Sequence, residues 1–289
     1  MPELHGHAQA PQDDSRGLDG SPALGAPGPG YVPPSSPHQV ITKRVDPNFV
    51  RGLNTERFAR EVAAAALLSH PNIIPVLEAG VLDDGVPFYT MPLIEGETLR
   101  ARVTREPLAL IDALTILCDV AKALDFAHGK GIVHCNLNPE NVLLVGAAAL
   151  VSEFGVGRAI MAARPASDVP SLHNTTVKLG DLGVGFGTPA YMAPEQTLGD
   201  GNIDARADIY AFGCMAYELV ADGPPFGSRA SAQLMMAHVS KMPQPLASRG
   251  AAVPQRMDDL IMSCLRKRPS ERPQSAGELV ATLEKLILS

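Results

Sequence analysis

The chain has 289 residues, of which 45% are hydrophobic and 19% are charged, and its formal net charge is −7. This size and balance are typical of a soluble globular protein with one large or two small domains. The lack of a long basic run argues against nucleic acid or an anionic membrane surface as a partner, and no apolar run reaches the roughly 18 residues of a membrane span.

The first segment, residues 1–38, is rich in Pro, Gly, Ser and Ala and has almost no large apolar residues. Such a segment cannot bury enough apolar surface to offset the entropy lost on ordering, so we expect it to be disordered. No signal-peptide pattern is evident in it, which makes a cytoplasmic location the default expectation.

The pattern changes at residue 39. A strand is predicted over residues 40–45, a helix over 55–69, and two further strands over 74–80 and 86–94. Glu61 falls within the apolar stripe of the helix, where a carboxylate is costly unless a cation meets it. Lys43 is the nearest upstream candidate.

Beyond residue 95 the chain is predicted to be mostly helical. Residues 109–128 form a long amphipathic pattern that ends near two glycines, and residues 207–221 are apolar nearly all round, as in a helix buried at the centre of a domain. This order of elements predicts an α+β fold with a small lobe at 39–94, a large helical lobe at 95–289 and a crevice between them.

Eight short motifs follow one another along the chain: VITK (40–43), FARE (58–61), HPNI (70–73), HGKGIVHCNLNPEN (128–141), EFG (153–155), GTPAYMAPE (187–195), DIYAFG (208–213) and RP (272–273). Their order and spacing resemble those of bacterial Ser/Thr protein kinases of the eukaryotic type. The resemblance covers the chain from about residue 39 to its end, and it implies a protein-kinase-like fold of two lobes with a truncated small lobe.

The resemblance also implies a site for ATP. Lys43 would contact the α- and β-phosphates and would be held by Glu61. The backbone of Pro92 and Ile94 would meet adenine at the hinge between the lobes, and Leu143 would contribute to the same nucleotide site.

The residues that correspond to the reacting groups depart from the family pattern. Asn136 stands at the place of the catalytic Asp and is not a base, and Asn138 stands at the place of a Lys that meets the transferred phosphoryl group. Asn141 keeps its identity as a metal-ligand position. Glu153 keeps the carboxylate of the second metal ligand but adds a methylene, which favours weakened binding of Mg²⁺ because this ion requires tight octahedral geometry.

Two further departures concern the phosphate loop and control by phosphorylation. Residues 25–32 do not fit the Gly-rich loop, since prolines replace N–H groups that a phosphate cradle needs, and we expect the hairpin that carries this loop to be missing. Cys135 replaces an Arg that would clamp a phosphorylated activation segment, so Thr175, Thr176 and Thr188 lack the usual receiver of a phosphate. Asp181 is an alternative metal ligand, although it lies far from Asn141.

The residues that hold the large lobe together match the family. We expect Asp208 to accept hydrogen bonds from the backbone of residues 134–136, and Glu195 to form a buried ion pair with Arg272. We also expect the rings of His134 and Phe154 to pack together between the lobes. The four cysteines (Cys118, Cys135, Cys214 and Cys264) are widely spaced, which favours reduced thiols over disulfides or a metal site.

The leading hypothesis is therefore a pseudokinase with negligible phosphoryl transfer, acting as a scaffold or regulator that docks protein partners. The alternative is a weakly active, ATP-dependent Ser/Thr protein kinase with a protein substrate. An ATP sensor without enzymatic activity lies between the two. ATP and Mg²⁺ are the cofactors implied if any nucleotide binds.

Overall fold

The computed structural model describes residues 39–45, 53–163, 188–227 and 229–289, all of which belong to one unit of the chain, Tyr31–Ser289. Several predictions fall outside these ranges and stay predictions: disorder of residues 1–38, the missing loop at 25–32, and the roles considered for Thr175, Thr176 and Asp181.

In its described residues, 39–45 and 53–94, the small lobe consists of an antiparallel sheet and one helix. The strands are β1 (Val40–Arg44), β2 (Glu78–Val81) and β3 (Pro87–Pro92), in the spatial order β1-β3-β2, and the helix is α1 (Thr55–Ala65). The register places Lys43 directly opposite Tyr89. Asn54 caps α1 by accepting a hydrogen bond from the Arg57 N–H at 2.9 Å.

The apolar stripe of α1 buries Phe58, Val62 and Ala65 in the core of the small lobe. The helix ends before the predicted limit because the N–H groups of Ala66 and Leu68 bond to carbonyls three residues earlier, which tightens the chain into a 3₁₀-like turn. The predicted strand 74–80 is also shorter, since the Ile74 N–H bonds to the carbonyl of Val151 in the large lobe instead of extending the sheet.

The large lobe contains eight α-helices and a small second sheet within the described ranges. Its elements are β4 (Glu97–Thr98), α2 (Leu99–Arg105), α3 (Leu110–Gly129), β5 (Val142–Val145), β6 (Ala148–Val151), α4 (Val156–Ala163), α5 (Pro194–Thr197), α6 (Ala205–Ala221), α7 (Ser231–Ser240), α8 (Gln255–Cys264) and α9 (Ala276–Ile287). The sheet has the order β4-β5-β6, and short 3₁₀ helices include Pro139–Asn141 and Pro189–Tyr191.

Helix α6 lies at the centre of this lobe and is buried along nearly its whole length, as its apolar sequence predicts. It packs against α3 and α8, while α9 covers another face of α3. Gly213 lies so close to α8 that an added Cβ would stand 2.6 Å from the Cβ of Cys264. None of the helices in the described ranges is both long enough and apolar enough to cross a membrane.

Candidate active site

The loop between α3 and β5 carries the motif at 134–141, and Asp208 of α6 holds it in place. The Asp208 carboxylate accepts hydrogen bonds from the N–H groups of His134 and Cys135, both at 2.8 Å, and lies 2.8 Å from Nε2 of His128. Burial alone would raise the pKa of Asp208, but the bond and charge of His128 outweigh it, so the pKa is lowered. The predicted role of Asp208 is confirmed, and His128 is a partner that the motifs did not indicate.

The asparagines of this loop bind mainly to the loop itself. Nδ2 of Asn138 donates to the carbonyl of Asn136 at 2.9 Å, and Oδ1 of Asn138 accepts from the Glu140 N–H at 2.9 Å. The side chain of Asn138 therefore caps the 3₁₀ helix Pro139–Asn141 and is buried, with 3% of its surface exposed. A residue used in this way does not reach out to a phosphoryl group.

Asn141 has an orientation suited to binding a cation. Its Nδ2 donates to the carbonyl of Asn136 at 3.0 Å, which leaves the side-chain Oδ1 as the atom that could bind a metal ion. The N–H and Oγ of Ser152 both bond to the main-chain carbonyl of Asn141 and fix the position of the loop beside the end of β6.

Glu153 follows β6 and joins the two lobes. Its Oε1 lies 2.5 Å from Nζ of Lys43 and accepts a hydrogen bond from Oη of Tyr89 at 2.8 Å. The backbone of Glu153 has φ 66°, a left-handed conformation that is unfavourable for a residue with a side chain. Burial, followed by the charge and hydrogen bond of Glu153, raises the pKa of Tyr89, which keeps the phenol protonated as a donor.

The prediction that Lys43 pairs with Glu61 is wrong in this structure, because Lys43 pairs with Glu153. Helix α4 packs along α1, and the Asn54 N–H donates to the carbonyl of Ala163 at 2.8 Å. Gly155 lies so close to α1 that an added Cβ would stand 2.7 Å from the Cβ of Ala65. In this packing Glu61 is half-buried and appears in none of the ion pairs among the described residues.

The rings of His134 and Phe154 lie 4.8 Å apart between their centroids, so the predicted packing is confirmed. Both side chains are buried, and Nε2 of His134 lies 2.9 Å from the carbonyl of Ser152. Burial lowers the pKa of His134, so the ring is neutral near pH 7 and serves as a structural contact.

Helix α4 lies directly over the loop that carries residues 134–141, which we call the catalytic loop. A Cβ added at Gly157 would stand 2.6 Å from the carbonyl oxygen of His134 and 3.3 Å from the Cβ of Asn136. The thiol of Cys135 is buried below this contact, and burial, aided by the charge of Asp208, raises its pKa well above the usual range. A neutral, buried thiol cannot receive a phosphate group.

The motif that ends at Glu195 resembles the end of a kinase activation segment, and it is anchored as predicted. Arg272 donates to both carboxylate oxygens of Glu195, at 2.6 and 2.7 Å, and also to the carbonyl of Arg206 at 2.7 Å. Gln196 was not indicated by the motifs, yet its Nε2 donates to the carbonyl of Cys135 at 2.8 Å and ties this segment to the catalytic loop.

The three hinge and cleft residues lie where the two cores meet. Pro92 ends β3, buried and opposite Val40, while Ile94 and Leu143 are half-buried against the core of the small lobe. The structure therefore places Ile94 and Leu143 against the same apolar core. Their contact with adenine stays a prediction.

The arrangement does not fit Mg-ATP as it stands. The Asn141 side-chain oxygen and a carboxylate are suitable Mg²⁺ ligands, but one carboxylate oxygen of Glu153, Oε1, already binds both Lys43 and Tyr89. The ammonium group of Lys43 likewise forms its ion pair with Glu153 and is not free to bind a phosphate. Across the described parts of the chain, no group of three or more His, Cys, Asp or Glu side chains could hold a metal ion.

The two-lobed α+β fold, with a catalytic loop held by a buried aspartate and an anchored activation segment, defines a protein-kinase-like domain. Residues 34–282 match the family model of the protein kinase domain, and the chain belongs to this family.

The curated relatives include Ser/Thr protein kinases of bacteria. The serine/threonine-protein kinase PknB of Mycobacterium leprae is 33% identical over 243 residues, which cover 82% of this chain and 36% of that protein. A probable PknB of Corynebacterium glutamicum is 33% identical over 250 residues, covering 83% of this chain and 36% of that protein. A probable serine/threonine-protein kinase of Corynebacterium efficiens is 32% identical over 258 residues, covering 86% and 37%. The chain thus spans little more than a third of the length of these relatives.

Proposed function

We propose that this chain is a pseudokinase, with its small lobe at 39–94 and its large lobe at 95–289, and that it acts in the cytoplasm by docking protein partners. The observation that carries the proposal is the contact of Glu153 with Lys43 at 2.5 Å and with Tyr89 at 2.8 Å. The two charges that a kinase directs at the metal and the phosphates here neutralise each other across the lobes.

The catalytic loop supports the same proposal. Asn136 offers no base, and loss of a general base typically removes about 10²–10⁴ in rate. Asn138 is buried as a helix cap and supplies no cation near the reacting phosphoryl group. These losses concern one chemical step and need not add, yet either alone would leave a slow enzyme.

The alternative function is a weakly active, ATP-dependent Ser/Thr protein kinase. Asn141 favours it, because the carbonyl oxygen of its side chain is oriented for a cation by the bond from Nδ2 to Asn136. The relatives that are named as Ser/Thr kinases favour it as well. In this case Mg-ATP would have to separate Lys43 from Glu153, and proximity in the bound complex would then supply part of the rate.

A thermal-shift titration with ATP and Mg²⁺ separates these functions, since a ligand that binds the native state raises the melting temperature. A pseudokinase with a closed site shows no shift at millimolar Mg-ATP. A shift that is lost in Lys43→Ala and kept in Lys241→Ala, an exposed lysine, contradicts the closed site.

Label transfer from γ-labelled ATP then tests catalysis. We expect transfer no greater than in the Lys43→Ala control, both to the chain itself and to a general protein acceptor. Metal-dependent transfer above that control refutes the pseudokinase and supports the alternative. A thermal shift without transfer identifies a nucleotide sensor.

A further inference from the structure

A lysine that has no anionic partner among the described residues lies in the large lobe, away from the catalytic loop. Lys267 follows α8 and is half-buried, with Nζ 3.1 Å from Oη of Tyr210 and 4.7 Å from the centroid of the Phe226 ring. Among the ion pairs of the described residues, Lys43 and Lys122 each contact a glutamate, and none involves Lys267. The ammonium group is thus partly removed from water without a carboxylate to balance it, which is costly.

The groups that face Lys267 from the described helices and loops do not supply a negative charge. Tyr210 and Cys214 come from α6, His238 from α7, and Arg272 from the segment before α9. Oη of Tyr210 lies 2.9 Å from Nδ1 of His238, and burial lowers the pKa of His238 to about 3, so this ring is neutral near pH 7. Oη of Tyr210 accepts a hydrogen bond from Nζ of Lys267 and carries no negative charge, because burial raises the pKa of Tyr210 well above its usual range.

This environment favours the neutral amine. Burial lowers the pKa of Lys267 to about 8; Cys214 acts against the shift, and the positive charge of Arg272 acts with it. The ring faces of Phe226 and Tyr210 attract the ammonium form and offset part of the effect. With a pKa near 8, roughly a quarter of the amine is neutral at pH 7.5, against about 0.1% for an ordinary lysine.

We propose that Lys267 is a modification site, at which the amine reacts with small acyl donors such as acyl phosphates before the exposed lysines of the chain do. The lone pair of Nζ forms the N–C bond with the acyl carbonyl, and the bond from that carbon to the phosphate oxygen breaks. Phosphate leaves with the bonding pair, and the nitrogen loses its extra proton to water. The amide that results is neutral and keeps one N–H for Oη of Tyr210. The proposal does not depend on whether the chain transfers phosphoryl groups.

The test is a competition within one molecule. The full chain is incubated with acetyl phosphate at pH 7.5, and the initial rate of acetylation at each lysine is measured by peptide mass spectrometry. Digestion after aspartate and glutamate suits the site, because it releases residues 260–271, which contain Lys267 but neither Lys241 nor Lys285. The exposed Lys241 and Lys285 are matched internal controls.

We expect Lys267 to react about tenfold faster than Lys241 and Lys285. The larger neutral fraction raises the acetylation rate roughly 200-fold relative to an exposed lysine. The lower intrinsic nucleophilicity of the weaker base reduces this gain by a factor of roughly ten to twenty. The advantage should vanish in urea and shrink as the pH approaches 10. The variant Lys267→Arg keeps the positive charge, and only the peptide acetylated at position 267 should disappear in it.

A rate at Lys267 that is equal to or below that of Lys241 in the folded chain overturns the proposal. The same holds if the advantage persists in urea, since local sequence would then be its cause and not the folded environment.

Discussion

The contact between Lys43 and Glu153 makes a quantitative prediction about stability. The side chain of Lys43 is 44% exposed and that of Glu153 is 13% exposed, so the pair lies between a surface salt bridge and a buried one. Surface pairs contribute about 0.2–1 kcal/mol, and breaking a buried pair costs about 3–5 kcal/mol. We expect a coupling free energy of about 1 kcal/mol after discounting for the exposure of Lys43.

The measurement is a double-mutant cycle with Lys43→Met and Glu153→Gln, read by urea unfolding. Glu153→Gln keeps an acceptor for Tyr89 and should cost about 1 kcal/mol. Lys43→Met leaves the carboxylate of Glu153 without its cation and should cost about 2 kcal/mol, and the double variant should also cost about 2 kcal/mol, which is about 1 kcal/mol less than the sum of the two single variants.

The control pair is Arg44 and Asp84, which also lie 2.5 Å apart but are 54% and 51% exposed. The coupling in this pair should be smaller and should fall further in 1 M salt, since exposed charges are screened. A coupling between Lys43 and Glu153 below 0.3 kcal/mol would contradict the view that this contact joins the lobes in solution.

Three further predictions concern the large lobe and the helix above the catalytic loop. Glu195→Gln leaves the fully buried side chain of Arg272 without its counter-charge and should lower the free energy of unfolding by about 3 kcal/mol, measured by urea unfolding. Burial lowers the pKa of His238 to about 3, so the unfolded state binds more protons than the folded state below pH 6.5. The free energy of unfolding should therefore fall as the pH drops from 6.5 towards 3. The variant His238→Asn should flatten this part of the plot of melting temperature against pH. Gly157→Ala places a Cβ 2.6 Å from a backbone carbonyl of the catalytic loop and should cost about 1–3 kcal/mol by urea unfolding, while Gly129→Ala, which meets nothing within 4 Å, should be neutral or stabilising.

Much of the fold was predictable because its signals are local. The stripe of Phe58, Val62 and Ala65 requires only helical periodicity, and the apolar sequence of α6 indicates a helix surrounded by others. Asp208 was predictable for a related reason, since a carboxylate within an apolar helix must find donors.

The partner of Lys43 was not predictable in the same way. The sequence indicated Glu61 alone as the partner, and the pairing with Glu153 depends on how α4 packs between α1 and the catalytic loop. That packing is a tertiary property, and no periodic pattern in the sequence indicates it. Tyr89 was missed because a tyrosine in a strand is an ordinary β-former, and only the register opposite Lys43 brings its hydroxyl to Glu153.

The site suggests how a kinase fold tolerates the loss of its reacting groups. Removing the aspartate and lysine of the catalytic loop exchanges two charges for two amides, and Asn138 recovers hydrogen bonds by capping the helix that follows. Glu153 would still be a partly buried anion without a metal ion, and the contact with Lys43 supplies the cation that it then needs. Under the proposed function, the substitution Asn136→Asp alone would add a negative charge to the loop while Glu153 stays paired with Lys43, and we expect it to produce no thermal shift with Mg-ATP.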